Sequence, residues 1–227
     1  MNMSEIQKYV PEGMTWLRAA VSLIPYVGGA VDHLLFDQAD VIRNKNIEQT
    51  LKSLSASVDE LKDKINQPWF SSEEFLQLLK KLFDSVSFET DKQKIDALGK
   101  IVALCGTNEY VPDQKKCSVF DHIAKLSYVQ IKLLSIVASI PKKKKEITSD
   151  ALVQTVYAIW FDDIINFLRQ YGENRFWEGK LNLSQEMEIL ESLNMVRLVP
   201  IWGSEKAYSL TSIGNLAANY INRLESK

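Results

Sequence analysis

The sequence predicts a mainly α-helical protein: a helical bundle with an antiparallel helical hairpin, followed by a C-terminal module with one short β-hairpin. Three observations predict it. Ile47, Leu51, Leu54, Val58, Leu61 and Ile65 recur at steps of 4, 3, 4, 3 and 4, an a/d stripe with polar residues between them. Phe75, Leu79, Leu82 and Val86 repeat that spacing after a short turn containing Pro68. Towards the C-terminus a helical pattern, two strand-like runs and another helical pattern follow one another. The expected division is a helical domain over 1–118 and a second module over 119–227.

With 46% apolar and 25% charged residues among 227, the chain has the composition of a soluble globular protein. A net charge of −2 provides no broad attraction for nucleic acid, whose phosphates need clustered Lys and Arg. Cys105 and Cys117 do not make a disulfide framework. The opening MNMSEIQKYVPEGM lacks the basic-then-apolar order of a secretory signal, so a cytoplasmic location is expected. No uncharged run approaches the roughly 20 apolar residues of a spanning helix.

Trp16 to Phe36 is the least polar stretch, with thirteen uncharged residues between Arg18 and Asp32. Pro25 breaks it by removing a backbone donor, and Gly28-Gly29 permits a tight reversal. The expectation is a buried bent hairpin that positions the helix beginning near Ala30. The alternative is a membrane-active protein that inserts the Trp16 to Phe36 segment, with a location peripheral at the inner membrane. In it Trp16, Leu23, Ile24, Pro25, Tyr26, Gly28, Gly29 and Val31 are the membrane or partner contacts.

The long heptad helix should end at Asn66 and Pro68. Ser71 and Glu74 then have capping-box spacing, with Phe70 and Phe75 at the staple positions of the next helix. The two stripes predict an intramolecular antiparallel pair, with self-association as a coiled-coil dimer the alternative. Ile95, Leu98, Ile101, Val102 and Cys105 make a further helix closed by Gly106. Thr107 to Lys116 reads as an exposed loop, and helical periodicity resumes through His122 to Ile140. Lys142, Lys143, Lys144 and Lys145 read as a solvated basic loop, with a phosphate or anionic-lipid contact as the functional alternative. From Asp150, ALVQTVYAIWFDDIINFLRQYG reads as one buried helix, apolar nearly all round and ended by Gly172.

In the C-terminal module Ser184 should cap a helix, with strands over Met195 to Trp202 and Ala207 to Leu210, a turn at Gly203-Ser204 and a helix from Thr211. LESLNMVRLV before the hairpin and YSLTSIGNLAANYI after it resemble winged-helix domains. The resemblance implies that Leu190 and Leu193 close the helix over the core, and that Tyr208, Leu210 and Ile213 anchor the return of the wing. The helix that would enter a DNA groove carries only Glu186, Glu188 and Glu191 as charges, which disfavours a DNA-binding regulator.

The search for chemistry is spare. No phosphate-binding loop, G-x-S-x-G, H-E-x-x-H or C-x-x-C is present. His33, Asp37 and Asp40 share one helix face, which suits a metal but equally a solvated polar face. Cys105, Cys117 and His122 offer three loosely spaced ligands where structural zinc takes four. Asp162-Asp163 lies where adjacent side chains of a helix diverge. The expectation is therefore a non-enzymatic protein with no catalytic residues, metal or cofactor.

IPYVGGAV, VFDHIAKLSYVQIKLLSIVA and YSLTSIGNLAANYI together resemble the bacterial Abi-alpha (abortive infection alpha) family. Val119, Phe120, Ile123, Leu126, Ser127, Leu133 and Leu134 match that family's central pattern, and the resemblance covers the chain from about Leu76 onward. Tyr128-Val129-Gln130 lacks its acidic residue after Ser, and Cys117-Ser118 replaces its His-Pro. The resemblance implies an interaction or effector protein of phage defence, acting through contacts with another protein or itself.

Overall fold

A computed structural model describes residues 41–107, 113–149, 152–170, 183–201 and 205–225. Among these residues the protein is mainly helical, with eight α-helices and a small four-stranded antiparallel sheet. The chain divides into two compact units, Met1–Lys125 and Leu126–Lys227. The expected boundary at 118/119 therefore falls inside a helix of the first unit. Val119, Phe120 and Ile123 of that helix are fully buried, so a division there would cut a packed face.

The first unit holds α1 (Val41–Glu60), α2 (Glu73–Val86), α3 (Lys92–Cys105) and α4 (Asp113–Ala124). Two 3-10 turns, Lys62–Lys64 and Gln67–Ser71, separate α1 from α2. The heptad stripe exists, with Ile47, Leu54 and Val58 buried, but Leu61 and Ile65 lie beyond the helix. Its principal partner is also different: α1 packs most extensively on α3, and only lightly on α2. Polar residues make that pairing. Asp96 Oδ1 accepts from Ser53 Oγ at 2.7 Å and from Gln49 Nε2 at 2.9 Å. Asn46 Nδ2 donates to the carbonyls of Val86 and Glu89 at 2.9 and 2.7 Å, pinning the α2–α3 corner to α1. Gly99 permits the approach, because a Cβ there would stand 2.8 Å from the Thr50 carbonyl oxygen. At the same corner burial would raise the Glu89 carboxyl. The Lys94 ammonium at 2.8 Å and the Asp91 and Thr90 amides outweigh that and hold it below the ordinary range.

The cap of α2 falls on Ser72, one residue after the expected Ser71, because the 3-10 turn extends through Ser71. Ser72 Oγ accepts from the Phe75 amide at 3.2 Å. The expected Phe70–Phe75 contact forms, and Trp69 joins it: the three rings meet edge to face with centroids 4.9 to 5.3 Å apart. Helix α3 ends at Gly106 as expected. Thr107 to Lys116 is not an exposed loop throughout. Thr107 is buried and bridges Ile65, and Asp113 to Lys116 begin α4. Lys116 is only 3% exposed and sets its ammonium 4.7 Å from the Trp69 ring centroid, so its stem is packed while its charge meets a π face.

The second unit begins with α5 (Tyr128–Ser139), closed at its start by a capping box between Ser127 and Gln130. Then come β1 (Lys143–Ser149), β2 (Leu152–Trp160), α6 (Phe161–Gln170), α7 (Leu183–Ser192), β3 (Val196–Leu198), β4 (Ala207–Leu210) and α8 (Ser212–Glu225). The sheet order is β1-β2-β4-β3. The single helix expected from Asp150 is instead strand β2 followed by α6. LVQTVYAIW is rich in β-branched and aromatic residues, and an all-round apolar run cannot by periodicity alone separate a buried helix from a strand. The basic run is likewise not a loop, since Lys143, Lys144 and Lys145 open β1 and only Lys142 precedes it. Lys143 stands opposite Ala158 and Lys145 opposite Val156, so their stems lie beside buried apolar residues.

The β3–β4 hairpin and the helix at Thr211 follow expectation, although β3 is shorter than the run from Met195 to Trp202 and the turn at 203–204 lies outside the described residues. Leu190 and Tyr208 are buried, whereas Leu193, Leu210 and Ile213 are half-buried. Ser184 sits inside the first turn of α7, which starts at Leu183. Asn194, at φ 57°, turns the chain from α7 into β3. Thr211 then locks that turn. Its hydroxyl donates to the Asn194 carbonyl at 2.5 Å and accepts from the Gly214 amide at 3.0 Å. A Cβ on Gly214 would fall 1.8 Å from the Met195 carbonyl oxygen.

Both close approaches make a prediction about stability. Gly99→Ala should cost about 1–3 kcal/mol in urea unfolding, and Gly214→Ala at least as much, because each forces backbone apart. Unchanged midpoints would contradict the packing described.

Candidate functional site

Among the described residues the second unit carries an open groove of about 620 Å³, and the basic run lines it. Strands, helices and a connecting segment build it. β1 contributes Lys143, Lys144 and Lys145, while the end of β2 and the first turn of α6 contribute Trp160 and Asp163. The segment before β4 contributes Glu205 and Lys206. Trp160 anchors the floor, packed with Val156, Ala158 and Ala207 under Val199 and Ile201.

Each lysine of the groove faces a carboxylate. Lys143 Nζ is 2.5 Å from Asp163 Oδ1, and Lys145 Nζ is 2.5 Å from Glu205 Oε2 and 4.5 Å from the Trp160 ring centroid. Lys144 pairs with Glu146 at 3.0 Å, and Lys206 reaches Glu188 at 3.5 Å and Ser184 Oγ at 2.9 Å. The groove is thus charge-balanced, unlike a bare phosphate cradle. The pairs exposed on both sides, those of Lys144, Lys145 and Lys206, contribute only about 0–1 kcal/mol each, so an incoming carboxylate can exchange for a resident one at little cost. Asp162-Asp163 belongs to the first turn of α6 rather than the middle of a helix, where negative charge suits the helix dipole.

Helix α7 presents its three glutamates in unequal ways. Glu186 is buried, not surface-facing, and accepts from Gln130 Nε2 at 2.8 Å. Gln130 is also the side chain that closes the α5 capping box, so one amide ties two helices. Glu191 accepts from the Leu198 amide at 3.0 Å, and Glu188 pairs with Lys206. Burial, then the charges of Glu191 and Glu188, push the Tyr208 phenol above its ordinary value. The outward carboxylates of α7 are therefore spent on holding the β3–β4 hairpin.

The other candidates fare differently. Trp16, Leu23, Ile24, Pro25, Tyr26, Gly28, Gly29 and Val31 lie outside the described residues, as do His33, Asp37 and Asp40. Cys105 is buried at the end of α3, while Cys117 is half-buried on α4. Burial and then Glu74 push the Cys117 thiol above its ordinary value, away from the thiolate form that a metal or an electrophile needs. The His122 ring turns to the Ser118 carbonyl, with Nδ1 at 2.7 Å. Among the described residues no three His, Cys, Asp or Glu side chains are grouped to hold a metal ion. No described helix is long and apolar enough to cross a membrane.

The residues of the central pattern that resembles the Abi-alpha family are structural. Val119, Phe120, Ile123, Leu126, Leu133 and Leu134 are fully buried, and Ser127 is a helix cap. Comparison of the chain with known protein families, curated proteins and solved structures finds no match.

Two site features were not legible in the sequence: the Gln130–Glu186 tie, formed across 56 positions, and the aromatic floor under the lysines. The former makes a prediction. Glu186→Ala should lower the stability of the second unit by about 1–3 kcal/mol, because it strands a buried amide. Glu186→Gln, which keeps an acceptor for the Gln130 amide and leaves the α5 capping box intact, should recover part of that loss, read by thermal unfolding. Equal stability of Glu186→Ala and the parent would contradict the tie.

Proposed function

We propose that the second unit is a winged-helix-type module used for protein contact, in a non-enzymatic bacterial interaction or effector protein of phage defence. Two features support the winged-helix reading. Helices α5, α6 and α7 precede the β3–β4 hairpin, and β4 lies between β3 and β2 in the sheet. One observation carries the choice of protein over DNA: the outward carboxylates of α7, Glu188 and Glu191, are bonded to the hairpin beside it. A groove-reading helix needs free donors facing base edges and phosphates, and here that face is acidic and tied down. The defence role rests on the resemblance to Abi-alpha proteins.

A fluorescent duplex of random sequence tests the first part. Its anisotropy should stay flat at low salt up to tens of micromolar protein, whereas binding that collapses steeply with salt would sink the reading. For the second part, cells carrying the gene should plate a sensitive phage less efficiently, or release fewer progeny, than cells lacking it. Identical plating and progeny across a phage panel would remove the defence role.

A further inference from the structure

We infer that the outer edge of β1 is a docking strand for an extended, acidic segment of a partner protein, which joins the sheet as a fifth strand. The inference deepens the protein-contact reading above and rests on it.

β1 is terminal in the order β1-β2-β4-β3, and among the described residues it pairs only with β2. Its seven residues span roughly 24 Å at the usual rise of a strand. The opposite edge strand, β3, has three residues and offers far less. Seven ladder pairs join β1 to β2 over 152–158, whereas β4 meets β2 only at Ile159 and Trp160. The β1–β2 hairpin thus runs on past the rest of the sheet, with Lys143 to Glu146 exposed along it. Tyr157, 63% exposed, stands opposite Lys144 and supplies an aromatic surface on that face.

Charge selects the occupant. Lysine on an edge strand is the common device against unwanted pairing, because it repels a second edge like itself and must be desolvated beside a neutral one. An acidic strand reverses that term. Alternation places Lys143 and Lys145 on one face and Lys144 on the other, so carboxylates on either face of an added strand meet an ammonium group. Glu146 and Glu205, the present partners of Lys144 and Lys145, are exchangeable surface partners, whereas Asp163 is largely covered and keeps Lys143. Main-chain hydrogen bonds supply affinity and the lysines supply the choice of partner, the division of labour seen in strand addition.

The test uses the full chain and a fluorescein-labelled peptide of four Val-Glu repeats with blocked ends. Titration at low salt should show saturable binding that weakens at least tenfold when the same peptide is N-methylated throughout, which keeps its charges and removes its donors. Lys144→Glu/Lys145→Glu should weaken it at least tenfold as well, with circular dichroism unchanged. No saturable binding would overturn the inference. So would equal binding of the methylated peptide, which means charge alone, or sedimentation of the free chain as a dimer that Lys144→Glu/Lys145→Glu abolishes, which means a second copy holds the edge. Failure of the peptide in a sample that also ignores duplex DNA removes strand docking alone, whereas DNA binding removes the parent reading.

Discussion

The second unit depends on a short piece of backbone: the two residue pairs Ile159–Tyr208 and Trp160–Ala207 that join β2 to β4. Without them the β1–β2 hairpin and the β3–β4 hairpin would be separate ribbons, and isolated two-stranded ribbons are marginal in water. The junction is well insured. Ile159 and Tyr208 are buried on one face, while Trp160 and Ala207 pack with Val156 and Ala158 on the other. The chain leaves β2 directly into α6, whose first amide donates to the Lys206 carbonyl at 3.0 Å and so fixes the segment before β4. The lysines, Trp160 and Glu205 are gathered into one groove because this junction brings their strands together.

Electrostatics in this unit is organised around internal use. The glutamates of α7 anchor a neighbouring helix or the adjacent hairpin, and the groove lysines have carboxylate neighbours. That arrangement leaves weak pairs that a complementary protein strand can replace. The buried Gln130–Glu186 bond has a different character, since it is shielded from water and its loss strands a polar group. Position on the fold, more than charge count, separates the two kinds of interaction.

The helices of the first unit were legible because their apolar positions recur with helical spacing and their caps are punctuated by Ser, Asp and Gly. Their pairing was not. The a/d stripe pointed α1 at α2, but Asn46, Gln49 and Ser53, which look like solvent-facing residues, are the side chains that bind α3 and its corner. Gly99, silent in a hydrophobic pattern, makes room for them. In the second unit β2 was hidden by its own apolarity. Buried on both faces at its end, it lacks the alternation that marks a half-exposed strand, and only its Val, Thr, Tyr, Ile and Trp content hinted at extended structure. The lysine run reads as a loop for the same reason, since its partner strand has the apolar pattern of a buried helix.

The fold of the second unit depends on the extended conformation of 152–160 and its place between β1 and β4. Residue-resolved NMR of the labelled protein tests that directly. Cross-strand contacts between the backbone protons of Lys144 and Tyr157, and of Ile159 and Tyr208, are predicted, with slow amide exchange along the β1–β2 ladder. A continuous run of sequential amide–amide contacts from residue 152 to residue 160, the signature of a helix, would contradict it.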